Sequence, residues 1–364
     1  MNHTALPAGI VGVASVPHAP QFLSRPDTED LDQVERVRAA MAELGERLRA
    51  LQPDCIIVLS NDHGDHFVTH SVPAFCVHAA THADGMHKHR GDWRLDASMG
   101  YGLVRAMEQE GFDLAYTLSA KLPTAFTIPY EFMGFDRSVP MTPIFVNSYV
   151  PPQPSPLRCH AFGQALARAV QRMGRRALLI ASGGLSHYPG TVHYPKPDVD
   201  TDRAMYEQMV AGNLSALLAY DTHALDRTGN VELRATLAAA GAVGNRAPFT
   251  ACFEPSWHHT YSVLGWDLTV PAQPPALIYP ELPPHRAALV EAVFRLRSDP
   301  ASAQQYLRDP HAWCEGYALA ADERQALLEM NPDRLRDEFH IHALLTSGAA
   351  TQLRLAKQRV NPTN

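Results

Sequence analysis

The sequence lacks the features that mark secreted, membrane-spanning and nucleic-acid-binding proteins. Its five cysteines are scattered, odd in number and without a CxxC pair, which predicts free thiols in a reducing cytoplasm. No apolar run approaches the roughly 18 residues that cross a membrane, and the first residues lack the basic and apolar regions of a signal peptide. Lys and Arg form no extended cluster in a chain of net charge -7, which argues against a nucleic-acid partner. These absences predict a cytoplasmic protein with neither a membrane nor a nucleic acid as partner.

The composition is that of a compact enzyme. Hydrophobic residues make up 46% of the 364 residues and charged residues 19%, so the chain can bury a sizeable core. This length is too great for one ordinary domain and suits a large catalytic domain with a smaller one.

The first 60 residues predict a strand, a helix and a second strand. Ile10–Val16 and Cys55–Leu59 are short apolar runs typical of buried strands. Between them, apolar residues recur every three or four positions from Val34 to Leu51, which indicates one face of a long helix. The same pattern predicts strands at Ile144–Val146 and Ala177–Ala181 and a helix at about Phe162–Met173. Alternating strands and helices favour an α/β fold, with a central sheet flanked by helices on both faces.

A proline-rich segment at residues 271–285 separates this region from a helical C-terminal part. Prolines at this density exclude a helix and indicate a linker or an extended segment. We therefore predict a catalytic domain at residues 1–283 and a small all-α domain at residues 284–364. The predicted helices of the second domain are His285–Arg297, Ala301–Leu307, Ala321–Met330 and Asp333–Leu345.

Three histidines directly follow predicted strands: His18, His63 and His187. Because ligands of open α/β sheets bind beyond the carboxyl ends of the strands, we expect these imidazoles to meet at one edge of the sheet. A single histidine in such a position is more often an ordinary loop residue. The prediction therefore rests on the position that all three histidines share. Two neutral imidazoles and one carboxylate on one face of a metal ion leave other coordination positions open.

Glu232 is the candidate for that carboxylate, although its sequence context alone does not select it. It follows a predicted turn at Thr228–Asn230 and stands at the start of a helix through Leu233 and Leu237. An acid there ordinarily complements the helix dipole.

The histidines that crowd after His63 are predicted to have no direct role in metal binding. A group that follows His63 lacks helical metal-ligand spacing and is interpreted as loop residues: His66, His70, His78, His82, His87 and His89. His258 and His259 either line a pocket or are ordinary residues near the end of the first domain.

Four segments together resemble the class III extradiol dioxygenases, the family of protocatechuate 4,5-dioxygenase and gallate dioxygenase. The segments are Val16–Pro20, Ser60–His63, Ser182–His187 and Glu232–Gly241, and they occur in the family's order. The resemblance implies that His18, His63 and Glu232 bind iron(II) and that His187 is the catalytic acid–base residue. It also implies an oxygen-dependent opening of a small aromatic ring, and a homodimer.

The resemblance has one departure and one extension. Many members have a second active-site histidine where this chain has Thr124. The resemblance implies a catechol, a gallate or a related aromatic compound as substrate. Thr124 is the catalytic candidate at this position: its hydroxyl carries no proton charge at neutral pH but still forms hydrogen bonds, so the departure also admits an aminophenol or a hydroxypyridone in place of a standard catechol. Residues 284–364 resemble the small helical subunit that is a separate chain in protocatechuate 4,5-dioxygenase.

Two other functions stay open from the sequence. A zinc hydrolase is the first, because two histidines and a glutamate also bind zinc and activate water. A non-catalytic member of the fold, acting as a binding or regulatory subunit, is the second, and it would bind no metal.

Overall fold

The computed structural model describes residues 8–68, 71–86, 89–119, 121–137, 139–271, 279 and 281–360, with side chains to residue 358. The chain forms two compact units, Met1–Gln273 and Pro274–Asn364. The boundary that the sequence predicts near residue 283 falls in the same proline-rich segment, of which residues 272–278 and 280 lie outside the described part.

The first unit has a mixed eight-stranded sheet and a small three-stranded sheet. The strands are β1 (Gly9–Val16), β2 (Cys55–Ser60), β3 (Phe75–His78), β4 (His82–Gly85), β5 (Gly91–Arg94), β6 (Ala115–Thr117), β7 (Lys121–Leu122), β8 (Met141–Val146), β9 (Arg176–Ser182), β10 (Thr250–Pro255) and β11 (Thr260–Asp267). The large sheet has the order β10-β11-β1-β9-β2-β8-β3-β6, and the small one β5-β4-β7. Strands β1, β9, β2 and β8 are mutually parallel, so their carboxyl ends lie side by side at one edge.

Helices cover both faces of the large sheet, as the sequence predicts. They are α1 (Gln21–Ser24), α2 (Leu31–Arg49), α3 (Ala97–Glu108), α4 (Thr124–Phe132), α5 (Pro156–Arg172), α6 (Val199–Val210), α7 (Thr222–Arg227) and α8 (Leu233–Val243). Alternate residues of β2 enter two different cores: Ile57 and Leu59 pack on one face, Ile56 and Val58 on the other. This burial on both sides explains why the central strands read as continuous apolar runs.

The predicted helix before β2 is confirmed as α2, whose apolar positions are buried. Its first turn is capped by the Asp30 side chain, which accepts hydrogen bonds from the backbone N–H groups of Asp32 and Gln33. Val37, Met41 and Leu44 are fully buried on the inner face.

The second unit is all-α in its described residues and has its own apolar core. Its helices are α9 (Ala287–Ser298), α10 (Pro300–Arg308), α11 (Pro310–Cys314), α12 (Ala321–Glu329), α13 (Pro332–Asp337) and α14 (Ala343–Val360). Three of the four predicted helices are confirmed as α9, α10 and α12.

The single helix predicted at Asp333–Leu345 is wrong. The chain leaves α13 after Asp337 and begins α14 at Ala343. His340, between them, has a left-handed backbone with φ 56°, which a right-handed helix does not accommodate. The break lets Phe339 and Ile341 both enter the core of this unit.

Within the described residues, every helix is too short or too polar to cross a lipid bilayer. All five cysteines are free thiols, four of them buried.

Candidate metal centre

His18 lies two residues beyond β1, and its ring orientation is fixed by a serine. Its Nδ1 is 2.9 Å from Ser182 Oγ, which in turn donates to the backbone oxygen of Ala125 at 2.5 Å. Because the serine proton is directed to Ala125, His18 Nδ1–H is the donor to Ser182. The lone pair on His18 Nε2 is then free to bind a cation.

His63 follows β2 in a tight turn that its neighbours stabilise. Its backbone is left-handed, with φ 51°, and its N–H donates to Asn61 Oδ1 at 2.9 Å. The Asp62 carboxylate accepts backbone N–H groups of Gly64, His66 and Phe67. These bonds offset the cost of the left-handed conformation and aim the imidazole at the carboxyl edge of the sheet.

Glu232, directly before α8, is 1% exposed, and its carboxylate accepts three hydrogen bonds. Oε1 accepts from Asn61 Nδ2 at 2.8 Å and from the Tyr149 hydroxyl at 3.0 Å, and Oε2 accepts from the Gly184 N–H at 3.1 Å. Burial alone would raise the pKa of Glu232, but the neighbouring imidazoles, His18 first, hold it well below its ordinary value. Glu232 is therefore a buried carboxylate anion.

The three side chains converge as a metal-ligand set. His63 Nε2 is 3.0 Å from Glu232 Oε1, His18 Nε2 is 3.5 Å from the same oxygen, and the two Nε2 atoms are 3.3 Å apart. Ligands bound at about 2.1 Å to one ion, at angles near 90–110°, stand roughly 3.0–3.4 Å apart. The observed spacings agree with a common ion to within a few tenths of an ångström, so these residues fit a bound divalent metal.

His187 lies beside this set and presents one nitrogen to it. Its Nδ1–H faces the backbone oxygen of Leu185 at 3.2 Å, which leaves Nε2 directed at the centre. Nε2 is 2.9 Å from the Tyr149 hydroxyl and 3.6 Å from Glu232 Oε1. Burial lowers the pKa of His187 although the charge of Glu232 opposes the shift, so the ring is a neutral proton acceptor at neutral pH.

The ring of His259 packs against the ring of His187. Their rings stack at 4.2 Å between centroids with an interplanar angle of 10°. A Cβ added to Gly184 would overlap His259 Nε2, so the glycine is needed for this close packing.

The metal-ligand set opens onto a cavity of about 180 Å³. Half of its lining residues are histidines: His18, His63, His187, His258 and His259. Of the two alternatives for His258 and His259, the structure places both on the cavity wall. Gln21 and Tyr194 also line it, and His258 Nε2 is 3.2 Å from the buried carboxylate of Glu29.

The sequence of residues 12–264 matches the profile of a family described as the catalytic LigB subunit of aromatic ring-opening dioxygenase. The match covers most of the chain and includes all four residues of the site. The chain belongs to this family.

Curated relatives of this LigB-family chain include enzymes named 2,3-dihydroxyphenylpropionate/2,3-dihydroxicinnamic acid 1,2-dioxygenase. The relative from Klebsiella pneumoniae subsp. pneumoniae is 31% identical over 176 residues, which are 48% of this chain and 55% of the relative. One from Escherichia coli K12 is 30% identical over the same shares of each chain. The chain thus spans about half the length of the curated relatives that it matches.

A solved structure has the same fold as this LigB-family chain. The crystal structure of an uncharacterized protein from Escherichia coli K12 aligns with a TM-score of 0.50 at 16% identity, over 70% of this chain and 99% of the other. At this identity the likeness concerns the fold alone.

The sequence also singles out Thr124 and the group of histidines that follows His63. Thr124 is buried at the first position of α4, and its hydroxyl forms no hydrogen bond to another described residue. Two of the predicted loop histidines lie in strands, since His78 ends β3 and His82 begins β4. None of the four described members of that group, His66, His78, His82 and His89, belongs to the ligand set. His70 and His87 lie outside the described residues.

Sequence reasoning missed Asn61, Ser182 and Tyr149. Asn61 and Ser182 stand inside the motifs that were identified, but nothing in their spacing distinguishes a ligand's partner from an ordinary polar residue. Tyr149 follows β8 by three residues, as His63 follows β2, so the same argument from strand ends would have found it.

Proposed function

We propose that the chain is a non-heme iron(II)-dependent extradiol-type dioxygenase, which inserts both atoms of O2 to open the ring of a catechol, a gallate or a related aromatic compound. The observation that carries the proposal is the convergence of His18, His63 and Glu232 beside His187 at the mouth of a small cavity. Membership of a family of ring-opening dioxygenase subunits supports the reaction class.

The donor set suits an oxygen-activating metal. Two imidazoles and one carboxylate on one face leave the remaining positions for other ligands, which is the arrangement of non-heme iron(II) oxygenases. When bound, iron(II) would supply a Lewis acid for the two vicinal oxygens of the substrate and a redox centre for O2.

His187 is the proposed acid–base residue. Its neutral Nε2 would accept a proton from a substrate hydroxyl and later return it to the opening ring. The backbone oxygen of Leu185 holds Nδ1–H, so the proton transfers take place at Nε2 and the ring does not rotate away.

The cavity supports a substrate with a single ring. Its volume of about 180 Å³ is close to the roughly 150 Å³ of a protein cavity that binds benzene, so one substituted ring fills it. A catechol or gallate fits this size, as does an aminophenol or hydroxypyridone. A hydrogen bond from the Thr124 hydroxyl to the substrate stays a prediction.

The remaining expectations concern assembly, cellular location and the role of the second unit. A homodimer and a role for the second unit like that of a small dioxygenase subunit are predictions from the family resemblance. A cytoplasmic location is a prediction from the scattered cysteines and the sequence features described above. Gel filtration of the full chain would test the homodimer directly.

Oxygen uptake after anaerobic loading with iron(II) tests the proposed function. We expect one iron per chain and stoichiometric O2 consumption with at least one member of a panel of catechols, gallates, aminophenols and hydroxypyridones, with a ring-opened acid as product. Bound zinc with hydrolytic activity and no oxygen uptake would instead establish the zinc hydrolase. Failure to bind any metal would leave the non-catalytic alternative.

A further inference from the structure

The loop between β8 and α5 is held from both sides, which fixes the position of Tyr149. Asn147 Nδ2 donates to the backbone oxygen of Val150 at 2.6 Å, and Val150 N–H donates back to Asn147 Oδ1 at 3.0 Å. Further along the loop, the fully buried Arg234 donates from Nε to the backbone oxygen of Pro154 at 3.0 Å. Arg234 belongs to α8, two residues after Glu232, so the loop is attached to the helix that carries the ligand.

The Tyr149 hydroxyl lies between two groups that would otherwise face each other as acceptors. Nε2 of neutral His187 and Oε1 of Glu232 are 3.6 Å apart, and both present lone pairs because Leu185 takes the Nδ1 proton. The hydroxyl is 2.9 Å from the nitrogen and 3.0 Å from the oxygen. The single hydroxyl proton faces both acceptors in a three-centre hydrogen bond, which offsets an unfavourable contact in a buried site.

We propose that Tyr149 is a positioning residue, whose hydroxyl fixes the acid–base nitrogen of His187 relative to the ligand oxygen of Glu232. The inference rests on the proposed function only in taking Glu232 as a metal ligand and His187 as the proton acceptor. It adds a polar side chain to the site from the end of β8, a strand that supplies none of the other site residues.

The hydroxyl also limits how Glu232 turns. Oε2 is bound by the Gly184 N–H, and Oε1 receives Asn61 from one side and Tyr149 from the other. Removal of Tyr149 leaves the carboxylate two of its three donors. Metal affinity should therefore fall less than after loss of a ligand.

The test compares Tyr149→Phe with Tyr188→Phe. Tyr188 is a matched control, because its hydroxyl donates to the backbone oxygen of Arg227 at 2.9 Å and forms no hydrogen bond with His18, His63 or Glu232. Two measurements need no substrate: the ¹⁵N resonance of His187 Nε2 in the metal-free protein, and the affinity for Zn²⁺ by competition with a chelator. A third separates kcat from KM in the iron-loaded enzyme.

In Tyr149→Phe we expect the His187 Nε2 resonance to move toward that of a nitrogen without a hydrogen bond. Zn²⁺ affinity should fall about 10-fold, at the low end of the effect of an outer-shell partner. The value of kcat should fall while KM changes little, because the tyrosine is absent from the described cavity lining. Tyr188→Phe should match the unaltered protein in all three.

Equal His187 resonances and equal Zn²⁺ affinities in the two variants would overturn the inference. If Tyr149→Phe does not fold, the ¹⁵N resonance of His187 Nε2 in the unaltered protein is the test. A resonance typical of a nitrogen without a hydrogen bond would exclude the bond to Tyr149. Failure of the proposed function is distinct: it would appear as an absence of oxygen uptake in the unaltered protein, whatever Tyr149→Phe does to the resonance and to Zn²⁺.

Discussion

Asn61 donates a hydrogen bond from Nδ2 to Oε1 of Glu232 over 2.8 Å. The same side chain accepts the backbone N–H of His63 at 2.9 Å, so one amide aligns two candidate ligands from segments far apart in sequence. Metal-ligand partners of this kind orient the ligand and keep its lone pair directed at the ion.

Replacement of Asn61 by alanine should weaken metal binding. Both of its hydrogen bonds disappear, and we expect the affinity for Fe²⁺ or Zn²⁺ to fall by about 10- to 100-fold. Titration calorimetry with Zn²⁺ measures this, and Asn213→Ala, which removes an amide bonded to Gln208 on the surface, is the control. An Asn61→Ala affinity equal to that of the control would contradict this account of the site.

Metal binding should stabilise the fold through Glu232. A ligand that binds only the folded state at 100 times its Kd adds about 2.7 kcal/mol to the free energy of unfolding. Denaturant unfolding with and without Zn²⁺ should show this gain in the unaltered protein and not in Glu232→Gln, which has the same shape but no charge. A gain of the same size in both would exclude Glu232 as a ligand.

His187→Ala should separate metal binding from turnover. The imidazole is beside the ligand set but outside it, so iron content should stay near one per chain while kcat falls by about 10²- to 10⁴-fold, the usual contribution of an acid–base group. The exposed His223, replaced by alanine, is the control for loss of an imidazole. Full activity in His187→Ala would refute the assigned role.

Gly184→Ala should destabilise the first unit and disturb the site together. The added methyl would overlap His259, which stacks on His187, and overpacking of this kind costs about 1–3 kcal/mol. Gly316→Ala, where the new Cβ would be 3.4 Å from its nearest neighbour, gives the cost of an ordinary substitution. Circular dichroism melts compare the two, and equal melting temperatures would show that the glycine is not required.

His78 should make the stability of the first unit sensitive to acid. It is buried between Phe67 and Phe126, neither ring nitrogen has a hydrogen-bond partner among the described residues, and burial lowers its pKa to about 4. Since the unfolded chain binds a proton near pH 6.5, this histidine costs up to about 1.4 kcal/mol of folding free energy for each pH unit between 6.5 and 4.

The matching experiment is His78→Phe. As the pH falls from 6.5 to 4, the variant should lose about 3 kcal/mol less stability than the unaltered protein. Urea unfolding at several pH values measures the difference, with the exposed His193→Phe as control. Parallel curves for all three proteins would show that His78 is protonated in the fold at pH 4.5.

The parts of the fold that follow from local pattern could be predicted, and those that depend on pairing could not. Strands β1, β2, β8 and β9 are apolar runs buried on both faces, so composition alone identifies them. The small sheet could not be predicted from apolar runs, because β4 has exposed residues at alternate positions and β7 has only two residues. Strand β10 was missed because most of its residues are half-exposed at the sheet edge.

The residues of the site also fall into those that the sequence pattern predicts and those that it does not. His18, His63 and His187 follow strands that composition reveals, so their convergence follows from the topology of an α/β sheet. Glu232 precedes a helix instead, and its burial at 1% exposure could not be inferred from an acid at a helix start, which is ordinarily solvated. Only the resemblance selected it.

The four central residues of the site stand at positions 18, 63, 187 and 232, and each needs a neighbouring strand or turn to hold it. A ribosome-bound nascent chain shorter than about 230 residues therefore has no complete coordination sphere to offer a cation. With the proposed ligands, metal acquisition would come late, after β1, β9 and β2 have paired, and any donor of the ion would meet a folded protein. Mutations far from the centre that slow sheet assembly should then lower the fraction of metal-loaded chains at harvest without altering affinity.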